Sequence, residues 1–212
     1  MLRCLPFLGL GLALVASLPA CTDDYDAPSP IRFSGLVEGA YLGGLQTTHF
    51  EVDPGRRVRS AELYLDGLRV AVDELAPFDL DWDTREWIDG AHDLRVRALL
   101  DDDSTIDAST TVQIDNVPPT IGALPSTILM GRTYTVEAED NTAVDRVEIV
   151  GTITDPSGAT YDNIGLTLHK QPFAFNWNYG CGVTHLLVRA IDLGGVSTEA
   201  TVDVDAICSG QP

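Results

Sequence analysis

The sequence predicts an all-β protein made of two tandem antiparallel β-sandwiches. A strand–loop–strand segment occurs twice, first at residues 77–98 and again at residues 172–190. Within each copy apolar side chains fall on every second position, which is the period of a half-buried strand. Turn signals recur about every 8–15 residues and no helical period is sustained, a pattern typical of sandwich folds.

The N-terminal segment, residues 1–20, has the features of a signal peptide. Arg3 is its only charge, and the apolar run at residues 5–18 is shorter than the about 20 residues of a membrane-spanning helix. The sequence Leu18-Pro19-Ala20-Cys21 resembles the lipobox of bacterial lipoproteins. This resemblance implies cleavage before Cys21, acylation of Cys21 and attachment to a membrane. Residues 21–30 are short, acidic and contain proline, so they are interpreted as a flexible tether.

The location and the charge of the chain narrow its possible partners. In the lipoprotein family, Thr22 rather than Asp after the cysteine favours the outer membrane over the inner membrane of the bacterial cell envelope. The formal net charge is −19, and loss of Arg3 with the signal makes it one unit more negative. Such an excess of carboxylates argues against nucleic acid as a partner and leaves cations open.

The first sandwich is assigned to residues 31–116. Its hairpin signal is Asp66-Gly67, which favours a two-residue turn between flanking strands. The later strands alternate clearly, because Leu94, Val96 and Ala98 share one face of theirs. Strands are predicted at residues 49–53, 61–65, 68–72, 77–82, 90–100 and 105–115.

The second sandwich is assigned to residues 117–208, with a tail at residues 209–212. It begins at Pro118-Pro119, where neither proline can donate to a continuing strand and both stiffen the link. Its central face repeats the first copy, with Leu186, Val188 and Ala190 in the places of Leu94, Val96 and Ala98. Strands are predicted at residues 133–138, 144–153, 161–169, 172–177, 183–191 and 196–207.

Two cysteines remain once Cys4 has left with the signal and Cys21 carries lipid. Cys181 and Cys208 form an even pair in an exported protein, which predicts a disulfide. A hairpin that turns at Gly194-Gly195 would place them opposite each other. That register sets Leu186 against Asp203, however. A one-residue bulge or a longer loop would cure this mismatch and leave the cysteines one residue out of step.

Several repeated motifs resemble the bacterial immunoglobulin-like modules that occur in tandem on secreted and surface proteins. They include Pro77-Phe78-x-Leu80-x-Trp82, Val112-x-Ile114-Asp115-Asn116 and, in the second copy, Ala138-Glu139-Asp140-Asn141. The resemblance implies immunoglobulin-like sandwiches that serve adhesion or partner presentation as a stalk. No nucleophile elbow, HExxH or glycine-rich phosphate loop is present, so no enzymatic activity is predicted.

Two further predictions concern ligands. In an immunoglobulin-like topology, Asp140, Asn141 and Asp192 lie at the end where the chain enters through Asp115 and Asn116. These oxygens predict a calcium site, which resembles the junctions of cadherin repeats; the other interpretation is that Asp and Asn merely form and solvate turns.

Trp87 has no counterpart in the second copy. It is interpreted either as a contact for a protein or glycan partner or as a third core tryptophan. The calcium and glycan predictions together define the alternative function, a calcium- or carbohydrate-binding accessory module of a surface assembly.

Overall fold

The computed structural model describes residues 29–154, 157–178 and 182–205, without the side chains of residues 154, 161–164 and 205. The predicted signal peptide, the tail and three of the cysteines singled out above lie outside this range: Cys21, Cys181 and Cys208. The helical residues within it form one short 3-10 turn, Thr84–Glu86, and no helix there is long and apolar enough to cross a membrane.

The first half of the described chain forms two facing sheets. Its strands are β1 (Ile31–Ser34), β2 (Ala40–Leu42), β3 (Leu45–Val52), β4 (Val58–Leu65), β5 (Leu68–Asp73), β6 (Leu80–Asp83), β7 (Gly90–Leu100) and β8 (Thr105–Ile114). The smaller sheet has the order β1-β3-β6 and the larger one the order β2-β8-β7-β4-β5. Asp66 and Gly67 turn the β4–β5 hairpin with positive φ of 48° and 81°, as the sequence predicted.

The second half repeats this topology. Its strands are β9 (Thr120–Ile121), β10 (Thr127–Leu129), β11 (Thr133–Val136), β12 (Ala138–Glu139), β13 (Val144–Thr154), β14 (Thr160–Leu168), β15 (Phe173–Asn176), β16 (Val183–Asp192) and β17 (Ser197–Asp205). The large sheet has the order β10-β17-β16-β13-β14, which matches the first half strand for strand. The small sheet is split into the pairs β11-β15 and β9-β12, because Glu137 separates β11 from β12.

One feature of both large sheets departs from the prediction of antiparallel sandwiches. The edge strand β2 runs parallel to β8, with Ala40 opposite Val112 and Leu42 opposite Ile114. Likewise β10 runs parallel to β17. At the start of each half the chain crosses from the small sheet to the edge of the large sheet. The edge strand that it forms there runs in the same direction as the last strand of that half, so the two pair in parallel.

The hydrophobic face predicted from alternation is confirmed. Leu94, Val96 and Ala98 are fully buried on β7, and Leu186, Val188 and Ala190 are fully buried on β16. Each half closes around its own cluster of buried apolar side chains. Trp82 anchors the first cluster, and its indole Nε1 donates to Thr48 Oγ1 at 3.0 Å. Trp177 is fully buried in the second cluster.

The final hairpin has the second of the two registers considered, shifted by one residue from the symmetric turn at Gly194-Gly195. Leu186 lies opposite Val202 and His185 lies opposite Asp203. Both Leu186 and Val202 are buried, so hydrophobic pairing sets the register and the loop at Asp192–Val196 takes up the extra residue. The disulfide predicted from this hairpin falls on Cys181 and Cys208, which lie outside the described residues, so it stays a prediction.

Candidate functional site

The two halves meet at a closely packed junction. The backbone N–H of Asp115 donates to the Leu42 carbonyl at 3.0 Å, and the N–H of Gly43 donates to the Gly194 carbonyl at 3.0 Å. A Cβ on Gly43 would collide with the Asp115 carbonyl oxygen and with Val196 Cγ2, and one on Gly194 would lie 2.9 Å from the same carbonyl. The linker backbone is therefore held from both sides, at two places where only glycine fits.

Asn116 points away from the predicted calcium ligands and binds the first half instead. Its Oδ1 accepts from Thr84 Oγ1 at 2.6 Å and from the Gly44 N–H at 3.2 Å, while its Nδ2 donates to the Thr84 carbonyl at 3.0 Å. Thr84 is fully buried. Every hydrogen bond that the structure gives the Asn116 side chain is thus made to the loops that precede the linker, and Asn116 is set apart from the other four residues.

Those four residues, Asp115, Asp140, Asn141 and Asp192, come together around the linker. Thr142 Oγ1 lies between two of them, 2.5 Å from Asp115 Oδ2 and 2.8 Å from Asp140 Oδ2. A hydroxyl has a single proton, so it can satisfy only one of these carboxylates at a time. Asn141 Nδ2 donates to Asp115 Oδ1 at 3.3 Å, and the Val196 N–H donates to Asp192 Oδ1 at 2.8 Å.

Burial makes this carboxylate group unusual. Asp115 has 0% of its surface exposed and Asp192 has 1%. Asp140 Oδ1 and Asp192 Oδ2 are buried with no hydrogen-bond partner in the described part of the chain. Burial raises the pKa of Asp192, and the charges of Asp115 and Asp140 raise it further. The site therefore concentrates negative charge where water is excluded.

Basic side chains do not offset this charge. Within the described ranges, no ion pair joins Asp115, Asp140 or Asp192 to an arginine, lysine or histidine. The segments outside those ranges carry one basic side chain, Arg3, in the predicted signal peptide. Nor do three His, Cys, Asp or Glu side chains stand in a formed metal-ligand arrangement in residues 29–154, 157–178 or 182–205.

Trp87 packs on a second polar cluster in the first half. It is half-buried against the core, and its ring meets the His92 ring edge-on with centroids 5.9 Å apart. His92 is buried, with Nδ1 2.7 Å from Asp66 Oδ2 and Nε2 2.8 Å from the Ile88 carbonyl. A partner or glycan contact by Trp87 stays a prediction.

The ionisation of His92 follows from these two acceptors. Both ring nitrogens face oxygen atoms that accept, which favours the doubly protonated ring. Burial lowers the pKa of His92, but the hydrogen bonds to Asp66 and to the Ile88 carbonyl outweigh it, so the net shift is upward. The pKa of Asp66 is lowered in turn, first by the Asp93 N–H and then by His92.

Sequence reasoning missed three residues of the junction: Gly43, Gly194 and Thr142. Gly194 was interpreted only as a turn residue, although its missing side chain also admits the Asp115 carbonyl. Thr142 directly follows the Asp140-Asn141 pair, so its hydroxyl could have been included with those side chains. No signal in the sequence connects Gly43 to a partner some 150 residues away.

The comparisons with known proteins bear on the fold. No protein-family model and no curated protein matches the chain. Among solved structures, it is similar to the fibronectin(III)-like modules of CbhA from Clostridium thermocellum, with a TM-score of 0.51 and 20% identity over 82% of this chain and 92% of that one. Together with the strand orders of the sheets, this similarity shows that the chain has an immunoglobulin-like fold of the kind that fibronectin(III)-like modules share.

Two more distant structures belong to proteins with other roles. An endo-β-1,4-mannanase from Thermotoga petrophila is 16% identical over 45% of this chain and 22% of that one, with a TM-score of 0.36. The insect immune protein hemolin is 11% identical over 86% of this chain and 48% of that one, with a TM-score of 0.30. All three similarities lie below 25% identity, and a shared fold does not assign a function.

Proposed function

We propose that this chain is a non-enzymatic bacterial lipoprotein whose two immunoglobulin-like modules form a stalk on the cell envelope, anchored in a membrane, with the outer membrane favoured, by acyl chains on Cys21. The stalk holds its distal loops away from the bilayer for adhesion or for presentation to a protein or glycan partner. The observation that carries the proposal is the packed junction, because a stalk needs modules that keep a fixed direction.

The junction supports this role through its backbone contacts. The Gly43–Gly194 hydrogen bond joins a loop of one module to a loop of the other, and the Asp115 N–H is held by Leu42. The following Pro118 and Pro119 restrict the linker further. A flexible pair of domains would instead be joined by a solvated linker with few crossing contacts.

The sequence supplies the membrane end of the proposal. A tether at residues 21–30 spans at most about 35 Å when fully extended, since each residue contributes roughly 3.3–3.6 Å. The first strand begins at Ile31, so the first module would stay close to the bilayer. Two or more acyl chains are needed for stable anchoring, at about 0.8 kcal/mol per buried CH₂.

Replacement of Cys21 tests the anchor. We expect the wild-type protein in the membrane fraction, with a mass increased by its acyl chains. When it is exported with a signal peptide that is removed without lipidation, Cys21→Ser should move to the soluble fraction of the cell envelope, because it lacks both the acyl chains and the apolar run at residues 5–18. Cys4→Ser, within the segment predicted to be removed, is the matched control and should leave fractionation unchanged. Membrane retention of Cys21→Ser would contradict the proposal.

A further inference from the structure

We infer that the junction binds one Ca²⁺ ion through the carboxylates of Asp115, Asp140 and Asp192. Two oxygens of this group, Asp140 Oδ1 and Asp192 Oδ2, are buried without partners in the described residues. A buried carboxylate oxygen without a hydrogen bond or counter-charge is costly, and proteins offset that cost by protonation or by a cation. These two oxygens belong to one cluster, in which Asp115 and Asp140 share the Thr142 hydroxyl.

The protein itself supplies no cation for these carboxylates within the described ranges. Arg146, which lies close in sequence, is occupied by Asp145 and Glu148 at 2.8 and 2.9 Å. Another acidic run of this chain is treated differently: Asp103 is largely exposed and pairs with Arg59. Among the described residues, the most deeply buried acidic side chains therefore lie at the junction. Within the same residues, these side chains have no basic partner.

The chemistry of the donor set favours calcium among the common cations. Ca²⁺ takes about 6–8 oxygen ligands in flexible geometry, whereas Mg²⁺ demands a near-ideal octahedron and Zn²⁺ prefers nitrogen and sulfur. Three carboxylates can each give one or two oxygens once the ion draws them together, because in the described residues they do not yet converge as ligands around one point. The side-chain nitrogen of Asn141 now faces Asp115. A half-turn of this amide would bring its oxygen to that side and add a fourth ligand residue for the ion. Water completes the shell.

Calcium would bind residues from three separate parts of the fold. Asp115 belongs to the linker after β8, Asp140 follows β12, and Asp192 ends β16. One ion at this place would tie the linker to two loops of the second module. The Thr142 hydroxyl would then be free to donate to one carboxylate without having to serve two.

Calcium titration of the purified full-length chain tests the inference. We expect one equivalent to bind by calorimetry, with a Kd near the about 10⁻⁴–10⁻³ M of extracellular modules. When the free calcium concentration is 100 times the Kd, the folding equilibrium shifts about 100-fold toward the native state. For a chain of this size, the melting temperature should then rise by roughly 5 °C or more.

Two substitutions locate the site. Asp192→Asn and Asp140→Asn each replace a proposed ligand by a neutral side chain of the same shape, and each should weaken calcium binding at least 10-fold. Asp101→Asn removes an exposed carboxylate in the β7–β8 turn, away from the junction, and should leave binding unchanged. If Asp192→Asn fails to fold, Asp140→Asn alone decides.

The inference is overturned if the wild-type protein binds no calcium at concentrations up to 10 times the upper limit of the expected Kd range. It is also overturned if both junction variants still bind calcium as the wild type does, or if Asp101→Asn loses calcium binding. Calcium binding at the junction does not depend on the lipid anchor. A chain that fails to bind calcium can still fractionate with membranes through Cys21, so the two failures can be told apart.

Discussion

At the scale of single residues, polar side chains at the end of the first module where the linker leaves are held by specific partners rather than by solvent. His92 lies under Trp87 and between two oxygen acceptors. The side-chain amide of Asn116 fixes the linker to Thr84 with two hydrogen bonds and to the Gly44 N–H with a third. The sequence suggested a calcium ligand or a turn residue at position 116, because the residues that bind its side chain lie 32 and 72 positions earlier in the chain.

The His92 cluster predicts a pH-dependent stability. Its folded pKa lies above the ordinary value of 6.5, so its contribution is fully present below about pH 6.5 and is lost as pH rises through the raised pKa. His92→Gln should therefore lower the free energy of unfolding by about 1–2 kcal/mol at pH 6 and by less at pH 9. Denaturant titrations at both pH values would measure this difference.

His185 provides the control for that prediction. It also pairs with an aspartate, Asp203 at 2.8 Å, but its side chain is 50% exposed. Exposed pairs contribute little, so His185→Gln should leave the unfolding midpoint nearly unchanged at either pH. An equal loss for His92→Gln at pH 6 and pH 9 would show that the ring acts there only by packing.

At the scale of elements, the packing of β13 against the buried tryptophan of the second module leads to a test. A Cβ at Gly151 would lie 2.8 Å from the Trp177 ring and 3.3 Å from Val183 Cγ1. Both neighbours belong to the core, so neither can move freely. Gly151→Ala should destabilise the protein by about 1–3 kcal/mol, as overpacked cores generally do. Urea denaturation would report the loss.

The neighbouring strand offers a matched glycine. Gly165 lies on β14 opposite Val150, is exposed, and would have no heavy atom within 4 Å of an added Cβ. Gly165→Ala should be neutral or slightly stabilising, because alanine reduces the freedom of the unfolded chain. If both variants unfold at the same denaturant concentration, Gly151 is not closely packed on Trp177 and the prediction is wrong.

Strands in which apolar and polar residues alternate clearly were predictable from the sequence, and the shortest strands were not. The alternation on β7 and β16 predicted which side chains are buried, because a half-buried strand leaves that pattern in the sequence. The three-residue strands β2 and β10 leave none, so their parallel pairing was missed. The register of the final hairpin stayed open in the sequence, because the symmetric turn at Gly194-Gly195 and the pairing of Leu186 with Val202 favour registers that differ by one residue.

The candidate site, like the strands, was predictable from the sequence only in part. Loop positions in an immunoglobulin-like topology predicted that Asp115, Asp140 and Asp192 lie near the entrance of the second module, and the calcium site there stays a prediction. Neither the burial of Asp115 and Asp192 nor the opposite direction of Asn116 follows from loop positions alone. Gly43 and Gly194 come from loops far apart in the chain and both pack on the Asp115 carbonyl, and the direction of Asn116 depends on Thr84, 32 residues earlier in the chain.

At the scale of the whole molecule, a stalk requires that the junction hold the two modules together. Gly43→Ala should disrupt it, because the new methyl group would collide with the Asp115 carbonyl and the Val196 side chain. The cores of the two modules are separate, so each should stay folded in this variant while the Gly43–Gly194 hydrogen bond is lost. Amide hydrogen exchange at position 43 would then accelerate by roughly 10-fold or more, equivalent to about 1.4 kcal/mol of local stability.

The most direct test is ¹⁵N relaxation, which gives the rotational correlation time of each module in solution. The account predicts that amides of β7 and of β16 report the same correlation time in the wild-type protein, as one rigid stalk requires. In Gly43→Ala the two times should diverge and shorten toward those of independent domains. Shorter, unequal correlation times in the wild-type protein would contradict the stalk.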